Sequence, residues 1–337
     1  MSHHPFTLLA GTLLLALGAA GTSSVHAASV TSPSPEIFAP GAISGPSGVD
    51  CLTFAPDGNT VYFDQQARWN GFIMEAHRVG DSWSTPRIAS FSGQWQDHDP
   101  AMAPDGSFLV YTSNRAAVAG GAALHGGQLW RVDRRGSGWG EPQRLPDAVN
   151  VGTSVYAPSV AANGDVYYQR RDEATHEFHL YRTAWRDGRY QAPQRLALGD
   201  PAAHELDPAV APNQSFIVFD ANYAGKDKPD RLYIAFRDGA GWGTPIDLGD
   251  AVNRYEPWGS HLGPDARTLY FTSNYTAKVS YPRTGAQARD DLARMRAWDN
   301  GNDHIWKMSL APWLDAPRSR EAASSPHHST GNSHDAT

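Results

Sequence analysis

The sequence predicts an all-β chain assembled from repeated four-stranded sheets, and three observations carry that prediction. A tight turn of the Pro-Asp-Gly kind returns five times, at Pro56-Asp57-Gly58, Pro104-Asp105-Gly106, Ala162-Asn163-Gly164, Pro212-Asn213-Gln214 and Pro264-Asp265-Ala266. An apolar strand follows each turn, as in Val61-Tyr62-Phe63, Leu109-Val110-Tyr111 and Ile217-Val218-Phe219. Further on, an aromatic with proline three residues later recurs at Trp83/Pro86, Trp139/Pro142, Tyr190/Pro193 and Trp242/Pro245. Sheets of four strands repeating every 40–50 residues or so are the signature of a β-propeller.

Each strand of the repeat has its own reason. The first leads into the turn, whose Pro and Gly suit its two central conformations. The second is the apolar run after it. The third carries Ile73, Leu129, Leu180, Leu232 and Ile305, and in four copies the aromatic of the fourth strand comes ten residues later. Proline is tolerated on a strand with one unpaired edge, so the fourth strand lies at the outside of each sheet. The fifth copy lacks this strand after Trp306. Pro35-Glu36-Ile37-Phe38 supplies the missing spacing at the other end of the chain, matching Pro142/Leu145 and Pro245/Leu248. Five blades, with the N-terminal strand closing the last, account for the repeats; a sixth, degenerate blade is the alternative, with few residues left to build it.

Around this domain, residues 35–315, the sequence sets three further segments. Phe6 to Ala20 is apolar and Val25-His26-Ala27 suits cleavage, so residues 1–27 are expected to be a signal peptide and the protein periplasmic or secreted. Residues 28–34 read as a linker and 316–337 as a disordered polar tail. The apolar run is too short for a membrane span. Net charge is −7, which gives no basic field for nucleic acid. The single cysteine, Cys51, forms no internal disulfide and reads as a small buried hydrophobe.

The repeat resembles the TolB-like, WD-repeat-like propeller family, whose blades carry a Pro-Asp-Gly turn, then Leu-Tyr-Phe and Ser-Asn. The matching residues are Ala103-Pro104-Asp105-Gly106 with Thr112-Ser113-Asn114, and Gly263-Pro264-Asp265 with Thr272-Ser273-Asn274. The resemblance covers about Pro35 to Leu310 and implies the fold. It implies no activity, and no role in the Tol envelope system follows from it.

Loop lengths single out one face. The gap between second and third strands runs from ten residues (Phe63 to Ile73) to 34 (Phe271 to Ile305), whereas the third-to-fourth connections do not vary. Variable loops gather where function does. In the longest insertion Ala288, Leu292, Met295 and Trp298 share a helical stripe, which predicts a short helix packed over the top, a cap on the channel mouth in preference to a lid or partner-binding helix.

Near the start of the first strands stand Asp50; Asp97, His98 and Asp99; His204, Glu205 and Asp207; and Glu256 with His261. Carboxylates and imidazoles converging on a channel can hold a divalent cation such as calcium or form a general acid/base pair. The competing reading is structural, and it is favoured: the resemblance to TolB-like blades implies that an acid before proline caps backbone amides of the next blade. The third blade has Ser154-Val155-Tyr156-Ala157-Pro158 there, so any site is lopsided. Trp83, Trp139 and Trp242 share one phase and read as blade packing, whereas Trp69, Trp95 and Trp258 fall outside it and are candidates for sugar contact. No hydrolase elbow, HExxH or phosphate loop is present. The expectation is a binding module for a protein, peptide or glycan, with no resident cofactor. The alternative is a carbohydrate- or lactone-active hydrolase or lyase using the channel carboxylates, with or without a divalent metal.

Overall fold

Five antiparallel sheets follow one another around a central channel, each built from the channel outward. This computed structural model describes residues 34–67, 70–118 and 120–316. The expected signal peptide, nearly all of the linker, Trp69 and all but the first residue of the tail lie outside those residues. No helix among the described residues is long and apolar enough to cross a membrane.

The second blade shows the plan. Asp97–Met102 lines the channel, Phe108–Ser113 and Gln128–Arg135 follow, and two short pieces, Gly138–Trp139 and Gln143–Arg144, pair with the third strand from outside. Pro142 separates the two pieces because it has no N–H for the ladder. Inner strands of the other blades are Gly48–Phe54, Val155–Val160, Glu205–Val210 and Trp258–Leu262. The last blade closes as expected: Glu36–Ile37 pairs with His304–Ser309, Glu36 opposite Lys307 and Ile37 opposite Trp306. Phe38 N donates to Ile305 O at 2.8 Å and its ring meets those of Phe54, Trp83 and Tyr270, so the strand also seals the seam to the first blade.

Five apolar clusters fill the five blade junctions. Outer-strand aromatics reach back into the preceding blade: Trp139 Nε1 donates to Tyr62 OH at 3.2 Å, and Trp242 meets Tyr167 edge-on at 6.3 Å. Burying such rings against apolar neighbours is the main stabilising contribution at each seam. The Pro-Asp-Gly turns place Gly58, Gly106 and Gly164 at positive φ; Gln214 and Ala266 adopt the same left-handed conformation in the fourth and fifth copies.

The insertion of the fifth blade corrects one expectation. Gly285–Met295 is a helix, opened by a capping box between Thr284 and Gln287, but none of its residues is buried. Leu292 is 47% and Met295 67% exposed, so the stripe does not cap the channel. Ion pairs within the insertion, Arg283–Asp291 and Arg294–Asp299, hold it to itself. Of the four stripe residues, Trp298 reaches furthest into the body, its indole over Gly41 and beside His304.

Candidate functional site

Every inner strand carries a bulge at the same phase, five residues before the turn. Its residues are Cys51, Asp99, Ala157, Asp207 and Gly259, all at positive φ. A bulge leaves an amide out of the ladder, and a buried amide needs an acceptor. Here the acceptor is a side chain. Asp64 of the first blade accepts from Asp99 N at 2.8 Å, Asp99 from Ala157 N at 3.0 Å, Gln169 from Asp207 N at 2.7 Å, and Asp207 from Gly259 N at 2.9 Å. Each of these bonds joins one blade to the next. At the seam to the first blade, Asp50 accepts from its neighbour Cys51 N at 2.7 Å and from Thr272 Oγ1 and Trp258 Nε1 of the fifth blade.

The sequence-nominated residues therefore divide into several places. Asp99 and Asp207 face the channel beside Asp50, and with them stand Cys51, Asp64 and Asp220. Asp97 points away into its own blade, where Ser92 Oγ donates to it at 2.8 Å and Arg115 lies 3.6 Å off. Glu205 is likewise buried and accepts from Tyr223 OH at 2.7 Å. His98 lies against the backbone of Gly71, where an added Cβ would meet its ring. His204 leaves the channel for the loops: Asp230 lies 2.6 Å from its Nε2 and Glu177 3.4 Å from its Nδ1. Trp258 is committed to Asp50, at 3.3 Å, and Trp95 is half-buried. His261 lies in the turn-side lumen, a cavity of about 120 Å³ that all five blades line. Water can reach it there although protein surrounds it, and that enclosure pushes its pKa down to about 4.

Electrostatics in the channel are one-sided. Burial, then the charges of Asp99 and Asp50, hold the Asp64 carboxyl well above the usual range. Burial and Asp99 push Asp207 up to about 7. Asp220 is raised by burial and by Asp207, and the Cys51 thiol by burial and then the surrounding carboxylates. Asp64 and Asp220 were missed in the sequence, yet a signal existed: both follow phenylalanine at the same phase of an apolar second strand, Phe63-Asp64 and Phe219-Asp220.

Glu256 belongs to a second place. It is exposed and lines a cleft of about 860 Å³ on the loop-rich face, between the loops of the fourth and fifth blades. Lys228, Arg254 and Lys278 line the same cleft, as do Tyr255 and Tyr275, whose rings meet at 4.5 Å. Among the described residues no ion pair uses any of these three cations.

No family model and no curated protein matches the sequence. Solved structures do match. One described as a glycoside hydrolase has a TM-score of 0.50 at 13% identity, over 89% of this chain and 96% of that one. A putative TolB from Agrobacterium tumefaciens gives 0.48 at 15%, over 82% and 98%. An alpha-L-arabinofuranosidase from Lactobacillus brevis gives 0.48 at 12%, over 78% and 91%. The fold is a five-bladed propeller. It is the architecture that the TolB-like repeat implies, and at these identities it carries no activity with it.

Proposed function

We propose that the chain is an exported, TolB-like propeller that binds a protein, peptide or glycan on its loop-rich face. One observation carries this reading: the channel carboxylates nominated for chemistry are engaged as inter-blade acceptors, Asp99 for Ala157 N and Asp207 for Gly259 N, while Lys228 and Lys278, in the open cleft beside Glu256, enter no ion pair among the described residues. Cations and aromatic faces in a concave site suit a ligand with anionic and planar or sugar-like groups. The test is a binding screen of peptides and neutral and acidic oligosaccharides, run with wild type and with Lys228→Glu/Lys278→Glu. The reading expects a ligand whose affinity falls at least tenfold in the variant. Ligands that bind both proteins equally would remove the cleft from the account.

A second reading, a hydrolase or lyase for carbohydrates or lactones, draws support from Asp207, whose carboxyl is pushed up to about 7 by burial and the charge of Asp99, its neighbour in the same lumen. It expects turnover on such substrates that Asp207→Asn abolishes. Absence of turnover across a broad panel would end it.

A further inference from the structure

Three ligand atoms meet in the channel wall at the seam of the first and second blades. Cys51 Sγ and one carboxylate oxygen each from Asp64 and Asp99 all lie within 4.8 Å of one another. Cys51 is 5% exposed and Asp64 1%. We propose that Cys51, Asp64 and Asp99 form a metal site for a thiophilic divalent cation of the zinc class. The proposal stands apart from the ligand reading above, since it concerns the channel and not the cleft.

Acidic side chains alone would not make a site, and the second observation is at Asp64. Its Oδ2 accepts from Asp99 N, which fixes the side chain, while its Oδ1 is buried with no hydrogen-bond partner among the described residues. A buried carboxylate oxygen left unpaired is costly, and a cation beside it would remove that cost. The charges that raise Asp64 and Asp207 most are those of neighbouring carboxylates, Asp99 and Asp50, and neither side chain has an ion pair with Lys or Arg among the described residues.

The donor set decides the class of metal. Calcium and magnesium prefer oxygen alone, whereas zinc accepts thiolate, at about 2.3 Å, together with carboxylate, at about 2.0–2.2 Å. A tetrahedral centre with those bonds separates its donors by roughly 3.5 Å, so small side-chain adjustments would bring the three into place. Asp99 is already oriented from outside the site, because Thr112 Oγ1 at 2.9 Å and Ala157 N at 3.0 Å both donate to its Oδ2. Binding would release the Cys51 proton as the thiolate forms. The metal would clamp the first blade, which supplies two ligands, to the second, which supplies one. A fourth position facing the lumen would fall to water or to a neighbouring carboxylate.

The experiment uses the full chain, first stripped with chelator. Thermal melts are recorded with Zn²⁺, Ca²⁺ or Mg²⁺, and absorption spectra with Co²⁺ in place of zinc. We expect Zn²⁺ at a hundredfold excess over its Kd to raise Tm by about 5 °C, and Co²⁺ to give a thiolate-to-metal charge-transfer band. Cys51→Ser should abolish the band, and Asp64→Asn should weaken zinc at least tenfold while leaving the metal-free protein folded. Because Cys51 is the single cysteine, the wild-type band alone identifies the ligand should the serine variant fail to fold. Histidines elsewhere in the chain can bind zinc, but they give no such band. A wild-type protein without the band, or a zinc affinity unchanged in Asp64→Asn, overturns the site.

Discussion

The channel and the cleft between the fourth and fifth blades are built from opposite materials. In the channel, acids are buried or half-buried, close together and tied to backbone amides of neighbouring blades. In the cleft, Lys228, Arg254 and Lys278 stand open to solvent around two tyrosines, in a chain whose net charge is −7. The contrast separates two uses of a charged side chain. A carboxylate at a bulge completes the ring, so removing it leaves a buried amide unpaired. A lysine on a variable loop completes nothing in the scaffold, and its removal should be felt by a ligand and hardly by the fold.

Mutations can sharpen or break that distinction. The largest effect is expected where neither region is touched but the ring itself is opened: Phe38→Ala, at the closing seam, should cost about 3–5 kcal/mol in denaturant unfolding. A small loss there would mean the N-terminal strand is not what closes the ring. Asp99→Ala strips the acceptor from Ala157 N and Thr112 Oγ1 and should cost about 2 kcal/mol by the same measurement. In the cleft, Lys278→Ala should stay within about 0.5 kcal/mol of wild type; an effect as large as that of Asp99→Ala would erase the contrast.

Acidity gives a separate handle on the channel. Asp64, Asp207 and Asp220 have carboxyl groups raised above their unfolded values, so between about pH 4 and 7 the folded chain binds more protons than the unfolded one. Their contribution is present in full at the acid end and is lost as pH rises through the folded values, near 7 for Asp207. Melting measured in chelator across pH 4–8 should show Asp220→Asn losing less stability toward pH 8 than wild type does. Parallel curves would remove Asp220 from the account. An effect of opposite sign belongs to the turn face: Ala266 holds a φ of 49° where three copies have glycine, and Ala266→Gly should gain up to about 1 kcal/mol.

The fold was legible because each strand has a fixed phase relative to a turn, and even the closing strand announced itself through the spacing of Pro35 to Phe38. The helix at Gly285–Met295 was legible as a helix but not in its packing, since an apolar stripe looks the same whether it meets the body or solvent. Asp99 and Asp207 could be picked out as channel residues, but not Ala157 N and Gly259 N as their partners, which lie 58 and 52 residues further along. Cys51 and Asp64 passed as ordinary strand residues, because the curvature of the ring, and no local pattern, brings them to Asp99. The cleft was not legible: Glu256 reads in the sequence as one of the channel acids, and the cations around it come from two loops and the connection between them.

The most direct measurement compares Lys228→Glu/Lys278→Glu with Asp99→Ala on one ligand found by screening peptides and oligosaccharides. The account predicts that the cleft variant keeps its melting temperature and loses binding at least tenfold, whereas Asp99→Ala melts lower and binds as wild type does. Loss of binding in Asp99→Ala with full affinity in the cleft variant would contradict it.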